Sequence, residues 1–233
     1  MEYIDGVSGL NLTKEMFECI AVELGRFQGK LYTERPDILQ NLPNLSKVEF
    51  TKNNYLRYRS WNVLYDYIRS DDCEIPKHLC KMLIDLDNNA DEIFNRIEKL
   101  PIVLCHRDFW VENIFFSDGK IVLIDWDTTG WGYMGEDIAS LITDEADVCH
   151  MIEYYQITDE ADVCHMIEYY QKCIPAYYRG FSKYADVSHI SDHCIYELIL
   201  AMFGYRLVGS GINSLSRPKI NQCTFIPYKT SMR

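Results

Sequence analysis

The chain has 233 residues, of which 48% are hydrophobic and 25% charged, and a formal net charge of −12 from 23 basic and 35 acidic side chains. That length and balance describe an ordinary soluble globular protein with one sizeable core. The acidic excess argues against a nucleic-acid partner, which needs a basic face for phosphate, and is compatible with a cationic substrate.

Residues 13–32 carry a helical pattern. Thr13 can cap, Glu15 lies in the first turn, and Phe17, Ile20, Leu24, Phe27 and Leu31 recur on one face. Gly25 and Gly29 lower helix propensity on that stretch but permit close approach of a neighbouring element. Pro36, Pro43 and the Asn-rich residues between them mark a loop. Trp61, Leu64, Tyr65 and Ile68 predict a second helix that stops near Asp71-Asp72. Pro76 opens a third, whose apolar spacing runs from Leu79, Met82, Leu83 and Leu86 through Ile93, Ile97 and Leu100 to Pro101. These stripes read as core.

From Val103 to Asp137 the chain reads V-L-C-H-R-D-F-W-V-E-N-I-F-F-S-D-G-K-I-V-L-I-D-W-D-T-T-G-W-G-Y-M-G-E-D. A short apolar run delivers His106-Arg107-Asp108, and Asn113 precedes the strand-like run Ile114-Phe115-Phe116. Asp118-Gly119 between two apolar runs is a strong hairpin signal, and the return run ends on Asp125. A two-residue loop would pair Asn113 with Ile124, and a three-residue loop would pair it with Asp125. Either register puts a carboxamide and a carboxylate at the open end of one hairpin, with Asp108 on the loop feeding it. Hard oxygen donors of this kind suit Mg²⁺, which is held by one or two protein groups plus substrate phosphates.

His106-Arg107-Asp108 with Asn113 resembles the H-R-D-x-x-x-x-N catalytic loop of the protein-kinase-like superfamily, and Asp125 stands where that superfamily has a metal-binding Asp. Asp125-Trp126-Asp127, with Gly132 and Glu136-Asp137-Ile138-Ala139 downstream, resembles the aminoglycoside phosphotransferase and choline kinase branch, whose members phosphorylate small molecules. The resemblance implies an α+β, mostly helical fold: a kinase-like large C-terminal lobe with a short β-hairpin at the metal site. It implies ATP and Mg²⁺ as cofactors and transfer of the γ-phosphoryl group to a small-molecule hydroxyl. In it Asp108 orients or deprotonates the acceptor, and Asn113 and Asp125 hold the metal.

By the same resemblance Met1–Gly6 is similar to the interlobe hinge, so the backbone of Glu2, Tyr3 and Ile4 would meet the adenine. In the family a small lobe carrying a phosphate loop and an ATP-pairing lysine precedes the hinge. The expectation is therefore a single domain over residues 1–233, the large lobe without the small one. Its activity would be impaired, and the alternative function is that of a non-catalytic assembly or binding module. Gly209-Ser210-Gly211 follows a helical pattern and reads as a terminator, not a phosphate loop.

Single residues around the motif carry lesser expectations. Asp127 is a candidate second ligand, although strand alternation would point it away from Asp125 unless the strand has ended. Glu136 and Asp137 start a helix and support the loop. Arg107 either binds an anion or pairs with a nearby carboxylate.

Residues 142–156, I-T-D-E-A-D-V-C-H-M-I-E-Y-Y-Q, recur letter for letter at 157–171. One tandem copy is not a solenoid, which needs several stacked units. If helical throughout, the extra copy adds ~22 Å and rotates the apolar face by ~60°. Only one copy can then occupy the core slot. A break near Ile157 is expected from Thr158-Asp159-Glu160, with apolar surface on the other copy promoting homo-oligomerisation.

Ile190, Ile195, Leu198, Ile199, Met202, Phe203 and Leu207 predict a further apolar helix face, and the last stretch with Pro218 and Pro227 reads as loop. His189 and His193 stand four apart without a third ligand at recognisable spacing, which favours solvated histidines over a metal site. Nine cysteines without C-x-x-C pairs and a start without signal-peptide character point to reduced thiols in the cytoplasm. The longest apolar run, Leu198–Gly204, is too short to span a membrane.

Overall fold

The computed structural model describes residues 4–44, 61–71, 73, 77–145, 160–190, 195 and 198. In chain order the elements are α1 (Lys14–Glu34), α2 (Trp61–Arg69), α3 (Lys77–Asn88), α4 (Ala90–Ile97), β1 (Ile102–Cys105), β2 (Ile114–Ser117), β3 (Lys120–Leu123), β4 (Gly130–Tyr133), α5 (Glu136–Glu145) and α6 (Glu160–Phe181). The described residues are mostly helical, with two small antiparallel sheets, β1 with β4 and β2 with β3. No described helix is long and apolar enough to cross a membrane.

Helix α1 begins after Thr13, as its capping residue dictates, and ends at Arg35 in the left-handed region with φ 43°. Its buried face runs over Phe17, Ile20, Ala21, Leu24, Gly25, Gln28 and Gly29, whereas Phe27 and Leu31, read as part of the stripe, are half-buried. The face is shifted because α6 crosses α1 backbone to backbone. A Cβ on Gly25 would come within 2.1 Å of the Tyr177 carbonyl oxygen, and one on Gly180 within 2.1 Å of the Val22 carbonyl oxygen. The close approach read from Gly25 and Gly29 is therefore realised, with Gly180 as its third member.

The third predicted helix divides in two at Asn89, whose amide N–H and side-chain amide both donate to the Asp85 carbonyl, at 3.0 and 2.7 Å. An asparagine bonding locally to the backbone competes with helix continuation. Phe94, Ile97, Val103 and Cys105 join Phe17, Ile20, Leu24, Ile138, Leu141, Ile142, Tyr177 and Phe181 in one buried core. Ile195 and Leu198 are fully buried, Ile190 is partly buried against the core, and Ile199, Met202, Phe203 and Leu207 of the predicted C-terminal face lie outside the described residues.

The first repeat copy starts inside α5, with Ile142 buried, and the second supplies the N-terminal half of α6. The expected break near Ile157 and the expected exposed apolar surface both fall outside the described residues or side chains.

Candidate phosphotransfer site

The hairpin β2–β3 closes through Asp118 and Gly119, with φ 51° and 75°. Positive φ at both central residues is the requirement of a type I′ turn, which Asp-Gly satisfies. The strands pair Ser117 with Lys120 and Ile114 with Leu123. Of the two registers open to the sequence, this is the two-residue one: Asn113 faces Ile124, and the Ile124 amide donates to the Asn113 carbonyl at 3.1 Å. Strand β3 ends at Leu123, so strand alternation no longer governs Asp125 and Asp127.

Asp125 takes a left-handed conformation, φ 61°. A non-glycine residue there is uncommon and has to be held by its surroundings. Thr128 Oγ1 donates to the His106 carbonyl at 3.0 Å and the Trp126 indole donates to the Leu123 carbonyl at 2.9 Å. The Trp126 ring also meets His106 edge-on at 4.6 Å. These contacts fasten the Asp125–Asp127 turn against the His106–Asp108 loop.

Asn113 is buried, and its side-chain amide donates to Asp108 twice, to the carbonyl at 3.0 Å and to carboxylate Oδ2 at 2.8 Å. Among the described residues nothing donates to the other carboxylate oxygen of Asp108. Asp125 is exposed, and its pKa is raised above the ordinary value. The causes, largest first, are the charge of Asp127, desolvation, a hydrogen bond with Asp127, and the charge of Asp108. Asp108, Asp125 and Asp127 thus share one electrostatic neighbourhood, and Asn113 is bonded into it through Asp108.

Arg107 also stands at positive φ, 70°. Asp137 holds it and its neighbour there, accepting from the His106 amide at 2.8 Å and the Arg107 amide at 2.9 Å. The Arg107 guanidinium pairs with Glu136 at 2.9 Å, both side chains largely buried. Of the two roles open to Arg107, it takes the ion pair. Burial pushes the Asp137 pKa up to about 6, against the hydrogen bonds that lower it. The lowering partners include Gln28, whose amide donates to Asp137 at 2.9 Å and to the Leu104 carbonyl at 3.0 Å, while the Tyr177 hydroxyl donates to Gln28.

Gln28 and Tyr177 escaped the reading of the sequence. A polar residue on an apolar helix face gives no periodic signal, and its partner lies 149 positions away. Of the adenine-facing candidates, Glu2 and Tyr3 lie outside the described residues. Ile4 precedes Val7, which pairs with Phe116 through two backbone hydrogen bonds of 2.9 and 2.8 Å. A Cβ on Gly6 would sit 3.5 Å from Phe115 Cβ. The N-terminal segment therefore lies along the edge of β2. His189 is exposed, and His193 lies outside the described residues.

Among the described residues no three His, Cys, Asp or Glu side chains form a ready-made metal cage. The residues nevertheless fit Mg²⁺, which keeps several waters and takes one or two protein oxygens beside substrate phosphates. The mutual repulsion that raises the Asp125 pKa is the charge such a cation would neutralise.

Solved structures share this fold, two kinases among them. The choline kinase from Cryptosporidium parvum Iowa II matches at 16% identity and a TM-score of 0.51, over 91% of this chain and 64% of that one. An amicoumacin kinase in complex with AMP-PNP, Ca²⁺ and Ami matches at 14% identity and a TM-score of 0.52, over 96% of this chain and 59% of that one. The chain spans less than two thirds of either. No curated protein matches it by sequence. The model of the phosphotransferase enzyme family, APH, matches residues 1–169, and the chain belongs to that family.

Proposed function

We propose that the protein is a small-molecule kinase, transferring the γ-phosphoryl group of ATP to a hydroxyl of its substrate. The single observation that carries this reading is the shared charge neighbourhood of Asp108, Asp125 and Asp127, with Asn113 bonded to Asp108. Family membership supports the reaction class, and the AMP-PNP in the amicoumacin kinase supports a nucleoside triphosphate donor.

Asp108 receives the acceptor hydroxyl. Asn113 fixes one of its carboxylate oxygens, leaving the other to take the hydroxyl proton as the new P–O bond forms and the bond from the γ-phosphorus to the bridging oxygen breaks, releasing ADP. Asn113 and Asp125 are the residues that would hold Mg²⁺, with Asp127 as the neighbouring carboxylate. When bound, Mg²⁺ would neutralise charge on the phosphates. The chain itself contributes position: a loop pinned by Asp137 and a turn pinned by Thr128 keep the oxygens in place without reorganisation, which is most of what phosphoryl transfer asks of a protein. Phe115 and Val122 face each other across the hairpin, and Val122 is 42% exposed. This open apolar surface, with residues 4–7 along the strand edge, supports adenine binding next to the hinge-like segment. The net charge of −12 favours a cationic acceptor such as an amino alcohol or aminoglycoside.

The test is transfer from γ-labelled ATP to a panel of amino alcohols, amino sugars and aminoglycosides. The reading expects a phosphorylated product for at least one acceptor, formed at least about 10²-fold more slowly with Asp108→Asn. Release of inorganic phosphate at the same rate with and without acceptors, for every member, would instead identify a hydrolase.

A further inference from the structure

On the far side of the acidic turn, between α1 and β3, lies a cavity of about 400 Å³. It has no part in the chemistry above. Its floor is apolar, from Ile121 and Leu123, and three aromatic side chains stand around it: Phe27, Trp126 and Tyr184. Trp126 is 41% exposed and Tyr184 44%, which is unusual for rings of this size. The polar part of the rim is Glu23, Arg26 and Lys30 on successive turns of α1. Arg26 is paired with Glu23. Lys30 reaches only to Glu34, at 4.0 Å and with half its side chain in solvent. Within the lining, Lys30 is therefore the cation whose partner carboxylate, Glu34, stands outside the cavity.

We propose that this cavity binds a small planar aromatic anion, its ring between Phe27, Trp126 and Tyr184 and its charged group at Lys30. The volume is of the size that holds a small organic ligand, and such sites are mostly apolar with a few placed polar groups. Aromatic walls favour a ring in offset or edge-on contact, and a cation at the mouth selects for an acid.

Trp126 is both a wall of the cavity and the residue between Asp125 and Asp127. Its indole N–H is already fixed on the Leu123 carbonyl, and its ring contacts Phe27 at 5.9 Å and His106 at 4.6 Å. A bound ring would therefore be reported by the Trp126 indole N–H resonance, independently of any catalytic activity.

The probe is 1-naphthalenesulfonate, titrated into the ¹⁵N-labelled chain, with the Trp126 indole signal assigned by its loss in Trp126→Phe. The expected result is a saturable shift of that signal, an affinity weakened about fivefold or more in Lys30→Glu, and weaker binding as salt is raised. Naphthalene-1-methanol, which keeps the ring and lacks the charge, should bind more weakly than the sulfonate. Lys30 is half-exposed, so the Lys30→Glu chain folds, and its unchanged spectrum elsewhere verifies this. A shift that does not saturate, or equal affinities for the sulfonate in Lys30→Glu and the native chain, would overturn the proposal.

Discussion

At the scale of single residues, the site is a set of oxygens whose positions are dictated by hydrogen bonds two shells deep. The motif residues were legible in the sequence because their spacing is local: His106 to Asn113 lie on one loop, and the Asp-Gly turn returns the chain to Asp125. Asp127 was a candidate left open, because its orientation depends on where β3 stops. Gln28 and Tyr177 were not legible, because burial of a polar group far from its partner leaves no pattern. Asp108→Asn removes the proposed proton acceptor while keeping the shape that Asn113 grips, so transfer should fall by about 10²–10⁴-fold with nucleotide binding little changed. Steady-state kinetics beside calorimetry reads both. Asp137 makes a second prediction, in pH. With a folded pKa of about 6 against an ordinary 3.8, it takes up a proton as pH falls through 6 and gives up part of its grip on the His106 and Arg107 amides. Activity should therefore decline below about pH 6. Stability should not decline with it on this account. The folded state binds this proton more tightly than the unfolded one, so the group's contribution is fullest below pH 3.8 and is lost as pH rises through 6. Rate profiles run beside thermal melts distinguish the two, and an acid limb that tracks melting would contradict this role for Asp137.

At the scale of elements, the crossing of α1 and α6 decides where the His106–Asp108 loop sits, because it carries Gln28 and Tyr177 to Asp137. Two of its three small residues, Gly25 and Gly29, were readable as a close-approach signal within one helix. Gly180 was not singled out, since nothing local indicates which helix will be the partner. Gly180→Ala should gain ~1 kcal/mol of helix propensity and lose more to the clash with the Val22 carbonyl, for a net destabilisation of ~1–3 kcal/mol in urea unfolding. Gln28→Leu tests the same crossing from inside: it strips Asp137 and Tyr177 of a buried partner at a cost of ~1–3 kcal/mol. It should also lower the transfer rate while leaving the hairpin intact. A variant as stable and active as the native chain would show that the loop is positioned without α1. The helix break at Asn89 belongs to this scale as well; the apolar spacing ran through it, and only the local bonds of one asparagine stop the turn.

At the scale of the whole molecule, the helical core and the hairpin were foreseeable from pattern, and the repeat was foreseeable as an anomaly. Deleting residues 142–156 or 157–171 gives one and the same sequence. Ile142, which opens the first copy, is buried, and Cys173, Ile174, Ala176, Tyr177 and Phe181 beyond the second copy are buried as well, so one copy supplies what the core needs at each end. The shortened chain should therefore keep a cooperative unfolding transition, and light scattering should find it less self-associated than the native chain. Loss of cooperativity would mean that both copies are built into the core. The claim on which the rest depends is that Asp108, Asn113 and Asp125 form one site for a metal-bound nucleotide. Calorimetric titration of Mg²⁺·AMP-PNP into the native chain and into Asp125→Ala tests it most directly. The account predicts saturable binding by the native chain that depends on Mg²⁺ and is lost or strongly weakened in Asp125→Ala. No heat of binding at millimolar nucleotide, or equal affinity with and without the Asp125 carboxylate, would contradict it.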